Sequence, residues 1–323
     1  MKSRILIFLI AFAALVGAAD AAETQSIPFT EGNFFVGQEP YPMYVEYFVP
    51  AKPTHRTPIV LVHGCCTTGA GFVSTPDGRA GWAMYLVRHG WKTYVVDMPG
   101  HGRSPMPPEF PTMSLRRVVD ASVELLGKIG RSVFIVHSIA GMVGWKLCET
   151  VPDRVAAIVG IAPVPPANMP KGSFPAATAI SQSFRSSGDG PYLTEDRPAW
   201  YKLDVAKQAF ASSLLFPVKA MDEYYASLVP ESPRALNELL DKDGMGLRAD
   251  PRKFASVPKV IITGDQDPRH PRMVDAQTAH FLGAEHIYLA DVGMSGHGHP
   301  MYLDKDNQKI AQLIVDWLAK KGL

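Results

Sequence analysis

The chain has 323 residues, of which 46% are hydrophobic, and its formal net charge is +1. A chain of this length and composition can bury a large core, as one large α/β domain or as two smaller domains. The nearly balanced charge offers no basic field for nucleic acid, which argues against a polyanionic partner and leaves a small molecule as the expected ligand.

The first 21 residues have the pattern of a secretory signal peptide. Lys2 and Arg4 precede an apolar run over 5–19, and the small residues Ala19 and Ala21 stand where signal peptidase cleaves. A membrane anchor is the alternative, but a bilayer span needs roughly 20 apolar residues, and this run has 15. We therefore expect cleavage, a periplasmic or secreted protein, and no stable membrane anchor.

Predicted strands follow one another along most of the chain. The alternating segment 44–49 predicts an early antiparallel strand. The continuously apolar run 59–62 predicts a strand that is buried on both faces, as in a parallel sheet covered by helices. The same apolar pattern returns at 93–96, 133–136, 156–161, 260–262 and 286–289.

Helical patterns lie between these strands, at 81–89, 114–129, 139–150, 273–282 and 307–320. This alternation predicts a mostly parallel central sheet flanked by helices, with reactive groups at the carboxyl ends of the strands. The segment 166–256 opens with closely spaced prolines and has helical patches but no convincing strand. We interpret it as an inserted cap on a core formed by 22–165 and 257–323. A meandering surface loop is the alternative, which the length of the segment disfavours.

Ser138 is the candidate nucleophile. It follows the apolar run 133–136 and precedes a helical run, which is where a nucleophile elbow presents a serine on a sharp turn. The residues two positions away must be small for strand and helix to approach closely; Ala140 meets this need, and Val136 meets it poorly. A serine that only caps a helix is the alternative.

Two further motifs follow predicted strands. Residues 63–69 read His-Gly-Cys-Cys-Thr-Thr-Gly, and residues 97–104 read Asp-Met-Pro-Gly-His-Gly-Arg-Ser. Together with the serine motif, in this order, they resemble the α/β-hydrolase family from about residue 40 to the end, apart from the cap. The resemblance implies an α/β-hydrolase fold and an oxyanion hole formed by the backbone N–H groups of Cys65 and Ile139.

A serine hydroxyl needs a general base, and imidazole has a suitable pKa. In the family the base follows the last strand and precedes the final helix, where only His297 and His299 stand. His299 follows a glycine and has an acid five residues later, so the resemblance favours His299. It leaves His297 as a supporting residue, together with His63 and His137.

The base must be oriented by a carboxylate. Residues 264–268 read Gly-Asp-Gln-Asp-Pro and follow the penultimate predicted strand. The family places its acid at the second aspartate, which selects Asp267 and leaves Asp265 to cap a turn. The resulting chain order, with Ser138 first, Asp267 second and His299 last, is the order of this family.

The chain has three cysteines, Cys65, Cys66 and Cys148. Their spacing lacks the two separated pairs of a structural zinc site, so we expect no metal. A small group of bacterial carboxylesterases in the family carries His-Gly-Cys-Cys at the same place with the two cysteines joined. The resemblance implies a bond between Cys65 and Cys66 that locks the oxyanion turn, while a reduced pair and a bridge to Cys148 stay open. That group takes its acid as a glutamate after the strand following the elbow, and residues 161–164 here hold no carboxylate, so the match is partial.

The motifs together predict an exported serine esterase that acts on a small ester without a cofactor; a homodimer is compatible with the sequence. Ser138 is expected to attack the ester, with His299 moving the proton. Hydrolysis of lactones, thioesters or carbon–carbon bonds by the same triad is the second hypothesis. A catalytically silent binding protein is the third, prompted by Val136. The serine disfavours the dehalogenases and epoxide hydrolases of the fold, which have an aspartate there.

Overall fold

A computed structural model describes residues 28–169, 182–185, 190–210 and 212–323, with the backbone alone for 208–210. The predicted signal peptide, residues 1–21, lies outside the described residues, and so does part of the predicted cap. Within these described ranges, no helix combines the length and the apolar character that crossing a membrane requires.

An eight-stranded sheet forms the centre of the molecule, in the order β1-β2-β4-β3-β5-β6-β9-β10. The strands are β1 (Phe29–Val36), β2 (Met43–Pro50), β3 (Ile59–Val62), β4 (Thr93–Asp97), β5 (Ser132–His137), β6 (Val155–Ile161), β7 (Phe184–Arg185), β8 (Trp200–Tyr201), β9 (Lys259–Thr263) and β10 (Glu285–Tyr288). Pairing is antiparallel from β1 through β2 to β4 and parallel across the other strands of this sheet. The predicted mostly parallel sheet with one early antiparallel strand is confirmed.

The edge strand β1 was not predicted from the sequence. It pairs with the whole of β2, but most of its residues are exposed or half-buried. An edge strand is covered on fewer sides than a central one, so its polar residues carry no penalty and its apolar pattern is weak. Thr30, Glu31 and Asn33 interrupt that pattern here.

Nine α-helices are present in the described residues: α1 (Ala70–Val73), α2 (Trp82–Arg88), α3 (Leu115–Ile129), α4 (Ala140–Thr150), α5 (Leu203–Phe210), α6 (Met221–Ala226), α7 (Pro233–Leu239), α8 (Arg272–Leu282) and α9 (Asn307–Lys320). The five predicted core helices correspond to α2, α3, α4, α8 and α9. The longest, α3, begins at Ser114, whose hydroxyl oxygen accepts a hydrogen bond from Arg116 N–H, as an N-cap serine does. Its buried face packs onto the sheet.

The segment 166–256 contains α5, α6 and α7 and the antiparallel pair β7–β8. The expectation that it holds no strand was therefore wrong, because a pairing of two residues is too short to produce an apolar pattern. Its C-terminal part is tied to the core, since Ser232 Oγ donates to Met113 O at 2.8 Å and Glu238 Oε2 accepts from Leu115 N at 2.8 Å. The role of this segment as a cap stays a prediction.

Candidate active site

Ser138 lies in the tight turn between β5 and α4, at the carboxyl end of the sheet. Its φ is +54°, in the left-handed region that non-glycine residues rarely adopt. The turn is held by the surrounding backbone: Ser138 N donates to Ile161 O at 3.1 Å, and Ser138 O accepts from Gly141 N and Val164 N, each at 2.8 Å. A strained conformation held by so many bonds is typical of a functional residue.

Val136 fits into this turn because α4 lacks a side chain opposite to it. A Cβ added to Gly144 would lie 3.2 Å from both methyl groups of Val136. Gly144, one turn into the helix, thus leaves room for the valine at position 136, where the motif would otherwise need a smaller residue. The elbow motif covers only the positions two residues from Ser138, so Val136 fits it poorly, and the compensating Gly144 lies outside the motif.

The structure brings Ser138, His299 and Asp267 into one hydrogen-bonded chain. His299 Nε2 lies 3.0 Å from Ser138 Oγ, and His299 Nδ1 lies 2.7 Å from Asp267 Oδ2. The other oxygen of Asp267, Oδ1, accepts from Arg269 N at 2.9 Å. His299 and Asp267 are buried, while Ser138 is partly exposed. The geometry allows a proton to pass from the serine hydroxyl to the imidazole.

The electrostatics favour the protonation states that this transfer needs. Burial alone would raise the pKa of Asp267, but the charge and hydrogen bond of His299 outweigh it and lower that pKa to about 2. Burial lowers the pKa of His299, and the attraction of Asp267 offsets this only in part. At neutral pH the carboxylate is therefore ionised and the imidazole is free to accept a proton.

Asp265 holds the loop that carries His299. Its Oδ1 accepts from Gly296 N at 2.7 Å and from His297 N at 3.2 Å, and Gln266 N donates to His297 O at 2.8 Å. The sequence predicts only that Asp265 caps its own turn. In the structure it also joins the loop after β9 to the loop before α9, and this brings the two sides of the site together.

His297 is oriented by a different carboxylate. Its ring is fully buried, with Nδ1 at 2.8 Å from Asp304 Oδ2 and Nε2 at 3.6 Å from Asp306 Oδ1. Asp304 is the acid that stands five residues after His299, so the sequence motif names the right residues but the pairing joins Asp304 to the other histidine. Of the two histidines, His299 is the one bonded to Ser138.

The loop 63–69 lies directly against the serine turn. A Cβ added to Gly64 would lie 2.6 Å from His137 Nδ1 and 2.7 Å from Ser138 Cβ, so only glycine fits there without a shift. Among the described residues, the backbone N–H groups of Cys65 and Ile139 have no protein acceptor. These two donors are free to bind an oxygen of a substrate.

The structure records a disulfide between Cys65 and Cys66 within this loop. Cys66 is buried with a φ of +66°, and its carbonyl accepts from Val229 N at 3.0 Å, which links the loop to the segment 166–256. Cys148 is buried in α4 as a free thiol, where burial raises its pKa.

His63 and Asp97 fix the two ends of the 63–69 loop. His63 Nδ1 donates to Gly64 O at 2.8 Å, and its Nε2 accepts from Met98 N at 2.9 Å; burial lowers the pKa of His63 to about 4 and keeps it neutral. At the other end, Asp97 Oδ1 accepts from Gly69 N at 2.7 Å. Sequence reasoning noted the motif 97–104 but not this role of its first residue.

His137 supports the position of His299 from the end of β5. Its Nε2 donates to His299 O at 3.1 Å. Burial lowers the pKa of His137 well below its ordinary value, so it stays neutral. His63 and His137 thus both lie where supporting residues were expected.

His270 was not singled out from the sequence, although it lies beside the hydrogen-bonded chain. Its ring stacks on that of His299, with centroids 5.3 Å apart and planes at 22°. Within the described ranges, Asp267, His270 and His299 are the group whose donor atoms could surround a metal ion, all lying within 4.8 Å of one another. Asp267 and His299 already satisfy each other by a hydrogen bond. No motif marks His270, because its partner Asp275 lies in the next helix.

Comparisons with known proteins agree with this fold. A family model described as the alpha/beta hydrolase family matches residues 59–313. A protein named "Probable secreted lipase phiG", from a fungal species (strain ATCC 74256), is 24% identical over 356 aligned positions, which cover 89% of each chain. Among solved structures, a novel bacterial esterase is similar at a TM-score of 0.57 and 19% identity, covering 93% of this chain and 99% of its own. An esterase from Thermogutta terrifontis is similar at a TM-score of 0.60 and 16% identity, covering 90% and 99%.

Proposed function

Because the chain belongs to the alpha/beta hydrolase family, we propose that it is a serine hydrolase that cleaves carboxylic esters. The observation that carries this proposal is the continuous hydrogen-bonded chain from Ser138 through His299 to Asp267. The similar proteins are named as a lipase and two esterases, which supports esters as the substrate class.

In the proposed first step, Ser138 Oγ attacks the ester carbonyl while His299 Nε2 takes the hydroxyl proton. Asp267 stabilises the imidazolium that forms. The N–H groups of Cys65 and Ile139 donate to the negative oxygen of the tetrahedral intermediate. The intermediate then collapses, the carbon–oxygen bond to the alcohol breaks, and His299 returns the proton to the leaving alcohol.

In the proposed second step, a water molecule attacks the acyl group on Ser138, with His299 again as the base. The same two N–H groups bind the second oxyanion, the acid leaves, and Ser138 recovers its proton from His299. A lactone or a thioester would react through the same groups. The hypothesis of a catalytically silent binding protein was prompted by Val136, and it loses this basis because Gly144 makes room for that side chain.

The nucleophile is tested with a fluorophosphonate, which labels an activated serine. We expect the folded protein to be labelled at Ser138, and the variant Ser138→Ala to lose both labelling and esterase activity. Ser227→Ala serves as the matched control, because Ser227 is exposed at the end of α6. Full esterase activity in Ser138→Ala would refute the proposal.

The substrate class is tested with a panel of esters that differ in acyl and alcohol size, run beside lactones and thioesters. We expect the highest kcat/KM on carboxylic esters. A higher kcat/KM on lactones or thioesters would replace esters as the substrate class while leaving the triad in place.

We also propose that the bond between Cys65 and Cys66 holds Cys65 N–H in position for the oxyanion. Preorganised donors stabilise a transition state without reorganisation. Mild reduction should therefore lower kcat, by less than the roughly 100-fold that the loss of a whole oxyanion donor costs, with little change in KM. The double variant Cys65→Ala/Cys66→Ala should be insensitive to reductant, and Cys148→Ala should stay as sensitive as the native protein. Unchanged activity of the reduced protein would contradict this role.

Export is the last part of the proposal. It is supported by the signal pattern of residues 1–21 and by the similarity to a protein named as a probable secreted lipase. Expression with the full N-terminus in a bacterial host, followed by N-terminal sequencing of the periplasmic fraction, should give a chain that starts at Ala22. A chain that keeps residues 1–21 in the cytoplasm would contradict export.

A further inference from the structure

A second histidine–aspartate couple stands beside the proposed triad. His270 is buried, and its Nδ1 lies 3.0 Å from Asp275 Oδ1. Its ring stacks on the ring of His299, and its nearest donor atom lies within 4.8 Å of those of Asp267 and His299. The Asp267 carboxylate is therefore flanked by two imidazoles, of which the mechanism above uses one.

The position of His270 is fixed by a network of side chains on three elements. Asp275 lies in the first turn of α8, and its Oδ2 accepts from Thr263 Oγ1, at the end of β9, at 2.6 Å. Thr263 Oγ1 in turn lies 3.0 Å from His286 Nε2 on β10. Asp275 and Thr263 are fully buried. A side chain held in this way keeps one orientation, which is what support of a neighbouring ring requires.

We propose that His270 is a positioning residue that acts through Asp267 and His299 and keeps the site active in mildly acidic solution. It does so by stacking on the base and by placing a positive charge beside it. The inference rests on the proposed serine hydrolase function, and it concerns a residue that does not touch the substrate.

The charged and titratable groups around His270 determine the sign of its effect. Asp275 faces it from α8, Asp267 and Arg269 from the loop after β9, and His299 from the loop before α9. Burial would lower the pKa of His270, but the charge and hydrogen bond of Asp275 outweigh burial and raise that pKa above its ordinary value. His137 faces His299 from β5 and stays neutral.

The pKa of His299 is shifted in the opposite direction, below its ordinary value. Over the pH range in which His299 titrates, His270 therefore carries a proton. A cation beside His299 disfavours a second cation, so the base stays neutral, and able to act, at lower pH than it otherwise would. Removing the charge at position 270 should move the acid limb of activity toward neutral pH.

The test compares His270→Gln with the native protein on one activated ester. Active enzyme is first counted by fluorophosphonate labelling, so that misfolded protein does not enter the rates. In His270→Gln we expect the apparent pKa of the acid limb of kcat/KM to rise by about one unit. His280→Gln is the matched control, because His280 is an exposed histidine of α8 outside this network, and the apparent pKa of its acid limb should not move.

If folded, fluorophosphonate-reactive His270→Gln keeps the native apparent pKa for the acid limb of kcat/KM, the inference is overturned and the proposed function stays intact. Retained activity of Ser138→Ala would instead overturn the proposed function. If His270→Gln does not fold, histidine NMR titration of the native protein decides. We expect the ring of His270 to stay protonated throughout the titration of His299, and a neutral His270 in that range would overturn the inference.

Discussion

Asp267 determines which nitrogen of His299 carries the proton. Its Oδ2 lies 2.7 Å from His299 Nδ1, so the carboxylate holds that proton and leaves Nε2 free to accept the proton of Ser138. The substitution Asp267→Asn keeps the shape but lets the amide donate to Nδ1, which favours the wrong tautomer. We expect kcat to fall by about 10,000-fold.

The measurement for Asp267→Asn is kcat and KM on an activated ester, with unfolding by urea to show that the fold persists. Asp153→Asn, at an exposed position between α4 and β6, is the control and should keep full activity. If Asp267→Asn loses less than tenfold in kcat, another carboxylate orients His299.

The burial of His299 predicts the pH dependence of the native protein. The base acts only when neutral, and burial lowers the pKa of His299 below its ordinary value of about 6.5. As pH falls, kcat/KM should therefore stay on its plateau past pH 6.5 and decline only below it. A pH profile on an ester that is itself stable in acid measures this limb, and an apparent pKa at or above 7 would show that the base is more exposed than the structure has it.

The 63–69 loop packs closely against the serine turn. A methyl group at Gly64 would lie 2.6 Å from His137 Nδ1 and 2.7 Å from Ser138 Cβ, so the loop must move away. Gly64→Ala should lower kcat by about 100-fold, the order of effect of losing one oxyanion donor.

Steady-state kinetics on Gly64→Ala test this expectation, with Gly127→Ala as the matched control. A Cβ at Gly127, in α3, would meet nothing closer than 4.0 Å. That exchange should keep activity and raise the free energy of unfolding slightly, because alanine favours the helix. Normal kcat in Gly64→Ala would mean that the loop does not supply a donor.

For the whole molecule, a buried ion pair joins the segment 166–256 to the core. His101 Nε2, after β4, lies 3.3 Å from Glu231 Oε2, and both side chains are almost fully buried. Burial would lower the pKa of His101, but Glu231 outweighs it and raises that pKa; burial would raise the pKa of Glu231, but His101 lowers it. Breaking such a pair typically costs about 3 kcal/mol, so Glu231→Gln should be destabilised by that order.

The decrease in the free energy of unfolding caused by Glu231→Gln should depend on pH. A histidine whose pKa is raised by folding stabilises the fold at pH values below its pKa in the unfolded chain. This contribution disappears as the pH rises through its pKa in the folded protein. A lowered glutamate pKa stabilises it above the unfolded value. The difference from the native protein should therefore be largest between about pH 4.3 and 6.5 and shrink in alkali. Urea unfolding across this range measures it, and Asp196→Asn at an exposed ion pair should change little; a pH-independent difference would mean that the pair is not ionised.

The amino-acid sequence by itself determined the order of buried strands and helices, because apolar periodicity is local and each central strand is buried on both faces. It also determined where Ser138, Asp267 and His299 stand, since each follows a strand at the carboxyl edge of a parallel sheet. The apolar pattern did not predict strand β1, because an edge strand buries few side chains and its pattern is weak.

Only the tertiary structure decided which side chains pair. Asp267 and Ser138 are 32 and 161 residues away from His299, and the sheet order brings them to one point. The same packing pairs Asp304 with His297 and Asp275 with His270. It also places Val136 in the space beside Gly144. Such partners depend on how elements far apart in the chain pack against one another, and no local pattern of residues encodes that packing.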